Sequence, residues 1–191
     1  ISKGGVLMRT VILGNKDLAV GCLDILLKHG LEIVGIVLNP DDNGKEMDWY
    51  KSLKKAAIEK GIAYYQPKNI SCDDGLAYIK SLQPDLMFSF SYSRIIKGNI
   101  LDQARNGAFN IHFSKLPFYR GCLPIVYALA NCENQIGVTL HHMDEGIDTG
   151  PVLAVREVEI ESSDDSNTLE NKLGKIGGEL LVEILPDWVA G

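Results

Sequence analysis

Short apolar runs alternate with stretches of helical period along almost the whole chain. Arg9–Gly14 is a buried-strand run ending in glycine, and Glu32–Leu38 is a second, stopped by Asn39-Pro40. Between them Asp17 can cap a helix whose apolar residues, Leu18, Gly21, Leu23 and Ile25 to Leu27, form one broad face before Gly30. Trp49–Lys60 reads as a basic amphipathic helix, Ile62–Tyr65 as a short strand and Asp73–Leu82 as a helix. Pro84–Phe90 is the next strand, a short helix covers Asn99–Arg105, and a strand around Asn110 follows. A helix over Pro124–Asn131, strands at Gly137–His142 and Val152–Ile160, and a helix from Asn167 to Leu185 complete the order. That last helix opens on Asn167-Thr-Leu-Glu170, a capping-box pattern, and Pro186 is expected to close it.

Strands alternating with helices imply right-handed crossovers and an α/β fold: a doubly wound, mainly parallel sheet with helices on both faces. Val152–Ile160 follows its predecessor by a short connection and is expected to run antiparallel to it. Sheets of this kind bind ligands beyond the carboxyl ends of their strands. His112 and the loop Asp144–Gly150 both follow predicted strands, so both are expected at that edge. Residues 8–191 read as one domain, and residues 1–7 as a remnant or extension ahead of it.

Composition narrows the class without deciding it. At 46% hydrophobic and 23% charged residues the chain is ordinary for a globular protein. No apolar run approaches the roughly 20 residues of a membrane helix, and Ile1–Leu7 lacks the apolar stretch of a secretory signal. Cys22, Cys72, Cys122 and Cys132 are scattered without metal-site spacing, so reduced thiols in a cytoplasmic protein are expected. His141-His142 cannot easily share a metal, because neighbours on a strand face opposite ways. A net charge of −6 argues against broad nucleic-acid binding.

The chemistry concentrates in Phe109–Pro117 and Asp144–Gly150. Asn110 and His112 lie two apart on a strand and therefore share a face, and Asp148 could reach them from its loop. An amide, an imidazole and a carboxylate at one point suit a carbonyl whose oxygen gains negative charge during reaction. Each also has a plainer explanation: His112 as a packed core histidine, Asn110 as a strand-end turn residue, Asp148 as an Asx-turn residue.

These residues carry a family resemblance. Asn-x-His, the following Ser-x-Leu-Pro with Arg120-Gly121, and Asp-x-Gly-x-Asp-Thr-Gly resemble the formyltransferases that use 10-formyltetrahydrofolate, over roughly Arg9 to Leu185. The resemblance implies a Rossmann-like formyltransferase fold with catalytic Asn110, His112 and Asp148, and the spacing of cysteines and histidines leads to the expectation of no metal. It places the pterin of the co-substrate against the backbone of Phe88, Ser89, Phe90 and Tyr92 and of His141, His142, Met143, Asp144 and Glu145. Ile95 and Leu116 would supply apolar walls. Phe88 and Phe90 read equally well as core aromatics, and Arg120 as a solvated surface charge.

The formyl acceptor separates on sequence. Enzymes acting on glycinamide ribonucleotide resemble Gly-x-Gly-Ser-Asn after the first strand, whereas Gly14-Asn15-Lys16-Asp17 lacks the Ser-Asn and sets Asp17 against a phosphate. Methionyl-tRNA formyltransferases carry a basic, glycine-rich loop after the second strand. Here Asn39–Asp48 holds four acids against one lysine, a poor partner for a polyanion, although Lys51, Lys54, Lys55 and Lys60 follow it on a helix that also reads as a solvated face. Ser89–Ile96 and His112–Gly121 look most like enzymes that formylate amino sugars on a nucleoside diphosphate. Tyr92, Arg94, Lys115, Tyr119, Arg120 and Gly121 are then the candidates for substrate contact, with tRNA ranked below a sugar nucleotide. Both classes usually continue into a C-terminal region that this chain lacks, which leaves a homodimer open. A formyltetrahydrofolate hydrolase and a non-catalytic nucleotide-binding module stay as alternatives outside transfer chemistry.

Overall fold

The computed structural model describes residues 7–47 and 50–190. The elements run β1 (Arg9–Gly14), α1 (Lys16–Lys28), β2 (Glu32–Leu38), α2 (Leu53–Glu59), β3 (Tyr64–Tyr65), α3 (Asp73–Leu82), β4 (Leu86–Phe90), α4 (Gly98–Leu101), β5 (Ala108–His112), α5 (Pro124–Ala130), β6 (Gln135–His142), β7 (Val152–Glu159) and α6 (Ser166–Ala190). One seven-stranded sheet has the order β3-β2-β1-β4-β5-β6-β7. The strands from β3 to β5 pair in parallel, and β6 and β7 join antiparallel at the far edge. This is the doubly wound, mainly parallel α/β sheet that the alternation predicts.

Each strand takes its composition from its place in the sheet. β1 and β4 are central, covered on both faces, and buried along most of their length. β7 is an edge strand, and Val152, Leu153 and Val155 stay exposed on it. One face carries a core built from α1, α2, α5 and α6 around Ile12, Phe88, Phe90, Phe109 and Ile111. The other face carries a second core around Val11, Leu13, Met87 and Ala108, covered by Ile79 of α3 and Ile100 and Leu101 of α4.

Several boundaries differ from the sequence reading. α2 begins at Leu53 rather than Trp49, and Asp48 and Trp49 lie outside the described residues. Ser52 caps it by accepting from Lys55 N at 3.1 Å, and buried Asp42 accepts from the Ser52 hydroxyl at 2.6 Å and from Lys54 N at 3.0 Å. α4 covers Gly98–Leu101 instead of Asn99–Arg105. α6 runs through Pro186 to Ala190, so the expected closure at Pro186 is overturned. A proline removes one backbone hydrogen bond and crowds the preceding turn. Here the turn before it is anchored by the buried Leu181 and Leu185, which hold the helix in place. Of the expected extension at residues 1–7, all but Leu7 lie outside the described residues.

The course of β6 corrects the expected position of the acidic loop. β6 runs against β5, pairing His142 with Phe109 and Thr139 with His112. The loop after β6 therefore leaves beside the start of β5, not at the carboxyl edge of the parallel strands. It reaches the site by folding back along one face of the sheet.

Leu181 is fully buried on α6 in the larger core. Leu181→Ala is expected to destabilise the fold by about 3 kcal/mol, read from denaturant unfolding. A loss below about 1 kcal/mol would show that α6 does not anchor this face.

Candidate active site

The register of β5 and β6 assembles the polar cluster. Asn110 pairs with His141 and His112 with Thr139, so Asn110, His112 and His141 project from one face. Phe109 and Ile111 project from the other face into the larger core. Asp148 closes the group from above: its Oδ1 accepts from Asn110 Nδ2 at 3.3 Å and lies 3.4 Å from His141 Nε2. Its Oδ2 accepts from Gly121 N at 2.9 Å and lies 3.5 Å from His112 Nδ1.

The loop sequence explains how Asp148 is held there. Asp144 Oδ1 accepts from Gly146 N at 3.0 Å and from the Thr149 hydroxyl at 2.6 Å, an Asx turn that folds the loop on itself. A side chain on Gly146 would run into Thr149, and one on Gly150 into the carbonyl oxygen of His142. Asp148 itself takes a left-handed backbone with φ 51°, a conformation that aspartate tolerates better than most residues. Each fixed position of Asp-x-Gly-x-Asp-Thr-Gly thus has a geometric reason, and together they aim one carboxylate at β5.

The electrostatics follow from burial. Burial pushes the Asp148 carboxyl up, but the His141 and His112 rings beside it and the Gly121 N–H outweigh it and hold the group below the usual carboxylate range. Burial holds His112 below the usual histidine range, against the pull of Asp148 and of the Tyr119 carbonyl. His112 Nε2 lies 2.8 Å from that carbonyl, which only accepts, so this nitrogen carries the hydrogen. The Nδ1 lone pair is left facing Asp148, and a proton taken up there would satisfy both groups.

A cavity of about 500 Å³ opens in front of the cluster, within the range of small-molecule sites. Of the residues singled out from sequence, Ser89, Tyr92, Arg94, Ile95, Asn110, His112, Gly121, His141, Met143, Asp144 and Asp148 line it. The other candidates lie elsewhere. Phe88 and Phe90 are fully buried on the opposite face, stacked with ring centroids 5.8 Å apart. His142 packs its ring on Phe109 at 4.5 Å, on the side away from His141. Leu116 is buried beneath Thr139, whose hydroxyl accepts from its backbone N–H at 3.2 Å. Glu145 accepts from Gly98 N at 3.2 Å, at the start of α4. Lys115 pairs with Glu157 at 2.5 Å and, with Tyr119, lines a separate cavity of about 870 Å³. The Tyr119 side chain bonds Glu133 and Asn131, so only its carbonyl serves the cluster. Arg120 is exposed outside both cavities.

Sequence reasoning missed the far wall of the cleft. Asn15 and Asn39 line it at the carboxyl ends of β1 and β2, beside the expected Ser91 at the end of β4, where topology directs ligands. Asn39 ties two of these ends together, donating to Ser91 O at 3.4 Å and accepting from Ser93 N at 3.0 Å. Their position after predicted parallel strands was a usable signal. The side chain of His141 gave none, because its partnership with Asn110 depends on the antiparallel register.

A doubly wound sheet with this cluster in one cleft defines an α/β protein equipped for carbonyl chemistry. The formyl transferase family matches residues 8–185, and the chain belongs to that family. It is 40% identical over 183 residues to the methionyl-tRNA formyltransferase of Dictyoglomus thermophilum, which is 94% of this chain and 58% of that protein. The chain thus spans a little over half the length of this curated relative. It superposes with a TM-score of 0.77 and 28% identity on WlaRD, a sugar 3N-formyl transferase solved with dTDP and 5-N-formyl-THF, covering 97% of this chain and 64% of that one. The N-formyltransferase of Helicobacter canadensis, complexed with folinic acid and dTDP-3-aminofucose, superposes at 0.73 with 25% identity, covering 94% of this chain and 63% of that one.

Burial lowers the pKa of both His112 and His142 from the ordinary 6.5, so the folded chain binds fewer protons than the unfolded chain below that value. Their contribution to stability is complete above about pH 6.5 and is lost as pH falls towards the depressed values. The denaturation midpoint is therefore expected to drop between about pH 7.5 and 5.5, and His112→Gln to flatten that slope in part. An unchanged slope in the variant would contradict the burial assignment.

Proposed function

We propose that residues 8–191 form a formyltransferase catalytic core that moves a formyl group from 10-formyltetrahydrofolate to a primary amine. The observation that carries the reading is the convergence of Asn110, His112 and Asp148 within 3.5 Å contacts on a single cleft. The cleft suits a reduced folate: main-chain edges at Ser89–Tyr92 and Met143–Asp144 offer donors and acceptors, and Ile95, Ile96 and Met143 offer apolar contact. When bound, the co-substrate supplies the one-carbon unit as an N-formyl group. Asn110 Nδ2 offers an N–H to a carbonyl oxygen that gains charge, competing with its 3.3 Å bond to Asp148. Asp148 and His112 Nδ1, 3.5 Å apart, accept the proton released by the attacking amine and return it to the departing nitrogen. A cytoplasmic location fits this chemistry and the four free cysteines. Among the described residues no helix is long and apolar enough to cross a membrane.

For the acceptor we propose an amino sugar on a nucleoside diphosphate. Arg94 and Lys16 line the cleft as cations for a diphosphate, and WlaRD and the Helicobacter canadensis enzyme, which share this fold, were solved with dTDP or a dTDP sugar. A second reading, methionyl-tRNA, is favoured by the higher identity to the Dictyoglomus thermophilum enzyme. It also gains from the way the acid-rich segment folds. Asp42 is buried as a helix cap and Glu46 pairs with Lys55 at 2.5 Å, so less negative charge faces outward than the sequence suggests.

Incubation with 10-formyltetrahydrofolate and separate amino-sugar nucleotides or charged initiator tRNA, with tetrahydrofolate as readout, decides between them. Tetrahydrofolate is expected with a sugar nucleotide, and Asn110→Ala, His112→Ala and Asp148→Asn are each expected to lower turnover about a hundredfold or more. Formation with tRNA alone would move the acceptor to tRNA. Formate release without an amine would identify a hydrolase, and folate binding without either product would leave a binding module.

A further inference from the structure

His141 is 2% exposed, and the mechanism above assigns it nothing. The groups that face it are Asn110 and His112 from β5, the His142 carbonyl on its own strand, and Asp148 from the loop. His141 Nδ1 lies 2.7 Å from the His142 carbonyl oxygen. A carbonyl only accepts, so the hydrogen of the neutral ring sits on Nδ1 and the lone pair on Nε2. The donor nearest that lone pair is Asn110 Nδ2, at 3.1 Å, while Asp148 Oδ1 lies farther off at 3.4 Å and, like the lone pair, can only accept. Amide and ring are complementary one way only, with the amide donating and the imidazole accepting.

This contact settles a choice that Asn110 cannot make alone. An asparagine amide has two orientations of nearly equal shape, with oxygen and nitrogen exchanged. With nitrogen towards His141, the same Nδ2 also donates to Asp148 Oδ1 at 3.3 Å. Turned over, the amide oxygen would meet a lone pair on one side and a carboxylate on the other, and both contacts would repel. We propose that His141 is a positioning residue: its Nε2 lone pair holds the Asn110 amide so that its N–H, and not its oxygen, is presented at Asp148. The orientation stands on geometry alone, and its consequence for rate rests on the formyl-transfer reading.

Two measurements on the 191-residue chain test the proposal separately. Nitrogen-15 NMR near neutral pH is expected to show His141 as the Nδ1–H tautomer, with the Asn110 side-chain amide resonance shifting in His141→Leu. In transfer assays His141→Leu is expected to lower kcat about tenfold to a hundredfold with KM for the formyl donor within about twofold, because the donor group is misaimed and not removed. His141→Gln restores an acceptor near the Nε2 position and is expected to recover most of that loss. An Nε2–H tautomer, or an Asn110 amide resonance unmoved in His141→Leu, would overturn the proposal. So would a leucine variant with normal kcat, or a glutamine variant no better than leucine, the result expected if His141 carries a proton instead. Absence of turnover in the unmodified chain would count against the transfer reading, and the two NMR results alone would then decide the orientation.

Discussion

The antiparallel register between β5 and β6 is the constraint on which the site depends, because it sets Asn110 opposite His141 and His112 opposite Thr139. Side chains on a strand alternate, so a slip of one residue would turn every polar group of β6 into the aromatic core and bring Leu140 to the cleft. Burial makes such a slip costly on both faces. Leu140 and Val138 are fully buried with Phe109 and Ile111, while Thr139 and His141 are enclosed among hydrogen-bonding partners. Exchange of the two sets would put polar groups into hydrocarbon and apolar groups among unpaired donors. Core packing therefore fixes the position of the reactive cluster to within a residue, before any loop is considered.

On that base Asp148 acts as the closing piece. A carboxylate withdrawn from water stays charged only when donors replace the water it loses, and the Asn110 amide and the Gly121 N–H supply two of them. The arrangement is asymmetric. Gly121 and Asn110 hold the anion with permanent N–H donors, whereas His112 Nδ1 can take or give a proton beside it. A carboxylate so held can change a neighbour's protonation state without changing its own, as the proposed proton transfer requires. The two turn-forming glycines and the Asp144–Thr149 bond make this geometry a property of the loop itself.

Much of this was legible in local patterns. The pairing of Asn110 and His112 on one face follows from the strand period alone, and the alternation of elements gave the doubly wound sheet. Features that depend on partners distant in sequence were not legible. The direction of β6 could not be read from Gly137–His142, which is apolar enough to serve as a parallel or an antiparallel strand, so the acidic loop was assigned to the wrong edge. Phe88 and Phe90 read as cleft residues because their backbone passes it, while the same period that joins Asn110 to His112 turns both rings away. Lys115 was drawn in by its neighbours in the motif, yet it sits one residue past Ser114, points outward and meets Glu157. Pro186 marks a helix end by local rule, and tertiary packing of Leu181 and Leu185 overrides it.

Charge shows the same difference between counting and placement. Asn39–Asp48 carries a formal excess of acids, and read as a list it repels any polyanion. In the fold Asp42 caps α2 from a buried position, Glu46 answers Lys55, and Asp41 alone of the described acids in this segment lines the cleft. The segment is thus partly neutralised by the basic helix that follows it, and the two act as one unit in which Asp42 orders the turn and the lysines face outward. Discrimination between a small sugar nucleotide and a nucleic acid then rests less on net charge than on which cations remain unpaired at the mouth. Lys16 is within 3.9 Å of Glu170 and Arg94 is exposed, so the cleft lining carries one paired and one exposed cation in place of a continuous basic surface. A long nucleic-acid backbone gains affinity by accumulating phosphate contacts over a wide face, and the cleft lining by itself offers few of them.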